Sequence, residues 1–401
     1  MGPRRHEQVV NDPYSSSTPA ISPSPRLGRD DAIDVVRGLC VLSMVLTHLS
    51  SGSTVWRIVH FQPWVDGASG FVLMSGLVLG MVHGRTARAH GVAALRTRRL
   101  KRTALLYVAH IAIVGLAIVD GFLAHLDGLP DRGPESLSRL IFWTLTLQVN
   151  PGNVDMLSMY VVLLLSTAVS APLLAARRGV LVLVLSALVY TAGSVSTHGA
   201  LPNRPYGDAF FDVACWQFLF TGAYLLGWRW PTVVAVLRGP RALSAAIVTG
   251  TVVAAIAVLL PNDGVQEVVF GKAECGPGRI VLAWCAFVVL YQCARTAVSR
   301  APAAVRAVRI IGSRSLACFI ALCLVNLVLP LAIGEDPTTV AAQIAGIGVA
   351  LAMYPVALAR GLVGRSLSAL RDDLTSRRQT LPDQPVPPAG VTEPDGRSRT
   401  R

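Results

Sequence analysis

The sequence predicts an all-α, polytopic membrane protein of about ten transmembrane helices with both termini in the cytoplasm. Three observations lead there. The 401 residues are 52% hydrophobic and only 15% charged, whereas a soluble domain carries about a quarter charged residues. Apolar runs of about 20 residues, the length that crosses a bilayer core, recur along the chain. Arginines gather in every second connection between those runs, the asymmetry that the positive-inside rule requires.

The runs fall at 32–50, 66–83, 102–122, 155–176, 179–196, 208–228, 242–260, 279–298, 310–332 and 338–360. The stretch 136–149 is amphipathic and reads as an interfacial or re-entrant piece. Arg85, Arg88, Arg96, Arg98, Arg99, Lys101 and Arg102 follow the second run, Arg177 and Arg178 the fourth, and Arg229, Arg238 and Arg241 the sixth. Arg295, Arg300, Arg306 and Arg309 surround the connection after the eighth, and Arg360 and Arg365 follow the tenth. The remaining connections are neutral or acidic, with Asp127, Asp131 and Glu135 after the third run and Glu335 and Asp336 after the ninth. Residues 1–28, rich in Pro and Ser, are expected to be a disordered cytoplasmic tail, 29–362 one membrane domain, and 363–401 a second disordered tail. No internal repeat of fixed period is visible.

Composition also excludes function classes. A net charge of +13 would suit nucleic acid if it formed one basic face. It is instead spread over alternate loops, so the expected partner is the bilayer and not nucleic acid. Lys101 and Lys272 are the only lysines, an arginine bias that fits a GC-rich bacterial genome and a multi-pass protein of a bacterial cytoplasmic membrane. The seven cysteines are odd in number and include no Cys-x-x-Cys pair. They predict small apolar packing residues, with no metal site and no disulfide framework.

Ionisable groups inside a span cost a few kcal/mol each even on lenient scales, so they point to function. Arg37 and His48 stand eleven residues apart in the first run, close to three helical turns, and therefore share a face about 16 Å apart along the axis. Asp34 joins that stripe. Oriented by its loops, the chain puts Arg37 in the inner half of the membrane and His48 near the outer end. Asp66, Asp155 with Tyr160 below it, Asp212 with Trp216 and Gln217 below it, and Arg279 fall at the outer ends of the second, fourth, sixth and eighth runs. His48, Asp66, Asp155, Asp212 and Arg279 are thus expected to line one outer vestibule. On the inner side Arg37 is joined by Arg314 and Ser315, where guanidinium groups and helix-start N–H groups suit an anion such as phosphate. Plainer readings compete with each assignment. Asp34–Arg37 is then a structural ion pair, an acid near a span end is simply solvated, and His110 is a structural histidine. Arg314 and the basic loop 85–102 are topological anchors, and Gly76-x-x-x-Gly80-x-x-x-Gly84 is a helix-packing face.

These residues resemble the OpgC family, part of the wider acyltransferase-3 superfamily of integral membrane acyltransferases. Asp34-x-x-Arg37-Gly38 with ten residues between Arg37 and His48 is similar to the superfamily's arginine–histidine signature. The segments Asp66 to Gly76, Asp155 to Tyr160 and Trp216-Gln217 resemble the family's second, fourth and sixth helices. Lys272 with Arg279, and Gly312-x-x-Ser315-Leu316, are similar to two late segments. The likeness runs over roughly residues 29 to 360. The chain departs from the pattern at Ser69, Ser158 and Asp212, where an acid, a proline and an asparagine are expected, and it has no histidine soon after Arg279. Those departures bear on the acyl group and the acceptor rather than on the reaction class.

The resemblance implies acyl transfer, of a succinyl or acetyl group, from cytoplasmic acyl-CoA to a hydroxyl of an extracytoplasmic glycan or similar acceptor, with no bound cofactor. On that reading His48 is the general base, suited by an ordinary pKa near 6.5. Asp66 or Asp155 orients its imidazole. Arg37, Arg314 and Ser315 hold the donor, and Asp212, Gln217, Trp216, Arg279 and Tyr160 bind the acceptor. A transporter or flippase of a polar or lipid-linked solute is the alternative, and would favour interrupted spans and related halves. A membrane scaffold is third. Acyl group, acceptor and oligomeric state stay open.

Overall fold

The computed structural model describes residues 30–59, 64–124, 137–151, 154–196, 199–203, 207–260, 263–333 and 339–380. The chain separates ahead of Asp31, and the unit from there onward carries every element. The tail expected over 1–28 lies outside the described residues, as does 381–401.

In chain order the elements are α1 (Asp31–Leu49), α2 (Thr54–Val59), α3 (Gly67–His90), α4 (Ala93–Ala124), α5 (Leu137–Leu145), α6 (Asp155–Ala175), α7 (Gly179–Val195), β1 (Ala200–Asn203), β2 (Gly207–Asp212) and α8 (Val213–Trp228). They continue with α9 (Trp230–Leu237), α10 (Pro240–Leu259), α11 (Asp263–Phe270), α12 (Pro277–Arg300), α13 (Arg306–Ser313), α14 (Ser315–Ile333) and α15 (Val340–Thr380). Among the described residues seven helices are long and apolar enough to cross a membrane, or eight if the bent pair α13–α14 is one span. The predicted fifth and sixth spans fall on shorter apolar helices, α7 and α8. The 16 residues of α8 reach about 24 Å at the helical rise, against a hydrocarbon core of about 30 Å.

Two boundaries differ from expectation. Residues 207–212 form β2, paired antiparallel with β1, and the helix begins only at Val213. The Asp212 carboxylate ends the strand and caps the helix by accepting the Cys215 N–H at 2.9 Å, which is the usual chemistry of a helix start. The predicted run 310–332 is not straight. It turns by 84° at Arg314, so α13 lies across α1 instead of continuing α14. Elsewhere local signals work as expected: Pro240 and Pro277 open α10 and α12, where the missing N–H costs nothing. Gly91 ends α3 with φ of +75°, a conformation that glycine adopts without a Cβ clash.

Glycines set how closely the helices approach. α3 and α8 share the most extensive interhelical contact. Along it Gly76, Gly80 and Gly84 face the backbone of Phe220, Tyr224 and Trp228, and Gly227 faces Leu77 in return. The small-residue repeat is therefore a packing face. A second close crossing joins α1 to α13, where Gly38 meets the Val308 carbonyl and Gly312 the Asp34 carbonyl, reinforced by an Arg309–Asp31 ion pair.

A side chain at these crossings has nowhere to go. Gly80→Val is expected to lower the thermal transition of the purified protein, by the equivalent of about 1–3 kcal/mol for overpacking. Gly115→Ala, where nothing lies within 4 Å, is expected to leave it unchanged or raise it slightly through helix propensity. Equal shifts in the two variants would contradict the close α3–α8 approach.

Candidate active site

The site is built in two layers, an outer one toward the His48 end of α1 and an inner one around Arg37, the names following the orientation expected from loop charge, and the first hangs on one loop. Residues 271–276 connect α11 to α12 and are tied to the β2–α8 corner. The Asp212 N–H donates to the Ala273 carbonyl at 2.9 Å. The Trp216 indole N–H donates to the carbonyls of Lys272 and Ala273, both at 3.0 Å. The Tyr190 hydroxyl donates to the Cys275 carbonyl at 3.3 Å. So held, Lys272 passes beside the rings of Phe210 and Phe211 and brings its ammonium to 2.8 Å from Asp66 Oδ2.

Asp66 is fully engaged. Its Oδ1 accepts the backbone N–H of Ser69 at 2.9 Å, capping α3, and the Ser69 hydroxyl at 2.8 Å. The Arg279 guanidinium stands 3.8 Å away, itself fixed by donation to the Phe270 and Gly271 carbonyls at 2.9 and 3.2 Å. Attraction to two cations offsets the burial of this carboxylate. Lys272, with 30% of its side chain exposed, is the one member of the trio that faces open space. Asp155, at the start of α6, is buried. The backbone N–H groups of Met156, Phe210 and Phe211 approach it, and Lys272 lies within electrostatic reach. Its Oδ1 has no hydrogen-bond partner among the described residues.

This layer is recessed. A Cβ on Gly67 would meet the Cys40 carbonyl at 2.7 Å and the Met44 nitrogen at 2.9 Å, so α3 begins level with the middle of α1. Asp66 therefore sits level with the middle of α1. His48, half-buried in the last turn of α1, stands one to two turns further out.

The inner layer centres on Arg37. Its guanidinium donates to the Ser315 hydroxyl at 2.6 Å and lies 3.6 Å from Asp34. Beside it is a small buried cavity lined by Ser75, Arg102, Tyr160 and Ser315, with Leu106 and Phe220 as apolar wall. Arg102 Nε is buried there without a hydrogen-bond partner among the described residues, and the buried Tyr160 hydroxyl faces Ser75. Between the layers Phe71 packs 5.1 Å from Phe319 and 5.5 Å from Tyr160, ring centre to ring centre.

Of the residues expected at the site, the fold brings together Asp66 with Arg279, and Arg37 with Ser315 and Tyr160. Arg314 adjoins Ser315, but its guanidinium packs on Gly361 of α15. Trp216 is fully buried, with its N–H spent on the 271–276 loop. Gln217 bonds to Ser186 through both ends of its amide, at 2.7 Å each, and lines a separate groove between α6, α7 and α8. Two contributors to the site, Lys272 and Arg102, and one buried histidine outside it escaped the sequence reading. Lys272 was seen only as part of a resemblance. Arg102 was assigned to a topological loop, yet α4 begins at Ala93, and its buried stripe runs through Leu106, His110 and Ile113, one turn above Arg102. His83, buried on α3, bonds the Tyr224 hydroxyl at 2.9 Å and belongs to the α3–α8 packing.

One guanidinium, that of Arg102, lines the inner cavity and a second, that of Arg37, bonds to its Ser315 wall, groups that suit an anionic ligand. The outer carboxylates and cations suit a hydroxyl-rich one. A family model described as OpgC protein matches residues 29–364, well over half of the chain. No curated protein and no solved structure matches.

Asp66→Asn leaves Lys272 and Arg279 facing each other without an anion. Breaking a buried pair from one side costs about 3–5 kcal/mol, so a large drop in the thermal transition is expected. Lys272→Met should cost less, since that side chain is partly exposed, and the double variant should recover part of the loss. A double-mutant cycle with no coupling would contradict the pair.

Proposed function

The chain belongs to the OpgC family of membrane acyltransferases, and we propose that it moves an acyl group, succinyl or acetyl, from cytoplasmic acyl-CoA to a hydroxyl of an extracytoplasmic glycan. What supports this reading is the stacking of two polar layers along one face of α1, an anion-suited one around Arg37 and a carboxylate-rich one toward His48. The arginine-rich connections 85–102 and 295–309 favour a cytoplasmic location for the Arg37 end. With α7, α8 and the α13–α14 pair counted as spans, ten crossings put both termini on that side, in a bacterial cytoplasmic membrane.

In the proposed reaction His48 takes the proton from the acceptor hydroxyl as its oxygen attacks the thioester carbonyl. The C–S bond then breaks, and the departing thiolate of CoA receives that proton. Arg37, Ser315 and Arg102 hold the phosphates and pantetheine of the donor, with Arg314 at the cytoplasmic mouth. Asp155 is the better partner for the His48 imidazole, because its Oδ1 is available whereas both Asp66 oxygens are engaged. Lys272 faces the acceptor, with the buried Arg279 holding Asp66 behind it. Asp212 and Trp216 keep the Lys272 loop in place.

The test is acyl-CoA turnover by the full-length protein in liposomes with a glycan acceptor. His48→Ala is expected to lose about 10²- to 10⁴-fold in transfer, the range for general base catalysis. Arg102→Gln is expected to raise KM for acyl-CoA more than it lowers kcat. Equal rates with and without His48 would rule out its role as base. Solute movement without thioester cleavage would favour a transporter.

A further inference from the structure

Three helices place their residues in the same order along the site. On α3 the sequence of levels is Asp66 and Ser69, then Phe71, then Ser75. On α6 it is Asp155, then Tyr160. On α14, read from the other end, it is Cys323, then Phe319, then Ser315. Cross-contacts hold these levels in register. Asp155 lies within electrostatic reach of Cys323. Phe71, Tyr160 and Phe319 meet at ring separations of 5.1, 5.5 and 6.4 Å. Ser75, Tyr160 and Ser315 share the inner cavity. Successive levels on α14 are four residues apart, about 6 Å at the helical rise. One layer of three rings, each no more than 5% exposed, thus separates two buried polar layers.

We propose that Phe71, Tyr160 and Phe319 form an aromatic septum between a donor chamber and an acceptor chamber, and that it parts only to admit the acyl thioester. The inference rests on the acyl-transfer reading above. The rings are positioning residues: they decide whether the acyl carbon meets the acceptor hydroxyl or water. In the wasteful reaction water replaces the acceptor, giving a free carboxylate, the CoA thiol and a proton. A continuous hydrated column between the layers would permit that loss and would also breach the membrane. Flat rings suit such a closure. They exclude water over a large area, pack edge to face, and move aside by side-chain rotation without disturbing the backbone. The one polar atom among them, the Tyr160 hydroxyl, belongs to the inner cavity, which leaves the outer face of the septum apolar.

Cys323, buried on the outer side of the rings, is a built-in reporter. A small hydrophilic methanethiosulfonate is applied from the Arg37 side to sealed vesicles that contain the full chain, and modification is read peptide by peptide. Cys318, which donates to the Met353 carbonyl at 3.7 Å on the α15 side, is the internal control. Phe319→Ala is expected to speed Cys323 modification several-fold with Cys318 unchanged, and to raise the ratio of thioester hydrolysis to acyl transfer. Phe319→Tyr, which keeps the ring, is expected to restore slow modification. Phe71→Leu carries the same expectation if Phe319→Ala does not fold. Unchanged Cys323 modification in a folded ring-deleted variant overturns the septum. If the native protein turns over no thioester, the acyl-transfer reading fails, while the Cys323 measurement still reports whether the rings seal the column.

Discussion

A carboxylate that starts a helix in the middle of a membrane protein must be neutralised, and Asp66 is where this structure meets that demand. As the cap of α3 it satisfies a backbone N–H that would otherwise be orphaned. As a buried anion it requires cations, and it draws Lys272 and Arg279 from a loop and a helix more than 200 residues away in the chain. That requirement dictates the path of residues 271–276, which in turn explains the buried Trp216 indole, the strand before α8 and the cap at Asp212. Much of the outer half is scaffolding for one ion cluster.

The glycine crossings supply the complementary constraint. Where Gly38 and Gly312 let α1 and α13 touch through their backbones, α13 cannot continue the line of α14, and the chain bends at Arg314. The bend delivers the first turn of α14, with Ser315, to Arg37. The α3–α8 contact does the same for the opposite wall: close backbone approach fixes the rotation of α3 and so the direction in which Phe71 and Ser75 point. Packing of small residues, which drives helix association in a bilayer where apolar burial cannot, thereby sets the register of the polar layers.

In the proposed reaction a water-soluble thioester on one side and a glycan on the other would need binding groups at two depths and a controlled passage between them. The two polar clusters would supply the binding groups, and the aromatic layer between them the passage. His48 and Arg37 lie on the same helix but about 16 Å apart, so in the proposed reaction the long arm of the donor would span the difference.

Hydropathy was enough to locate the long apolar helices, because a bilayer imposes span length on the sequence itself, but not the strand at 207–212 or the short helices. The stripe of Arg37 and His48, the small-residue face on α3 and the acids at the helix starts were legible for the same reason: each is a local pattern with a helical period. The partners were not. Nothing in the spacing of Lys272 announces Asp66, and Arg102 reads as one more basic loop residue until α4 is seen to begin nine residues earlier. Nor does composition reveal that Gln217 faces a separate groove, or that the run 310–332 bends by 84°. The sequence by itself determined where the long apolar helices lie and which of them carry charge. Only the tertiary structure decided which charges meet, because pairing depends on helix rotation and depth, and these are set by backbone contacts between segments far apart in the chain.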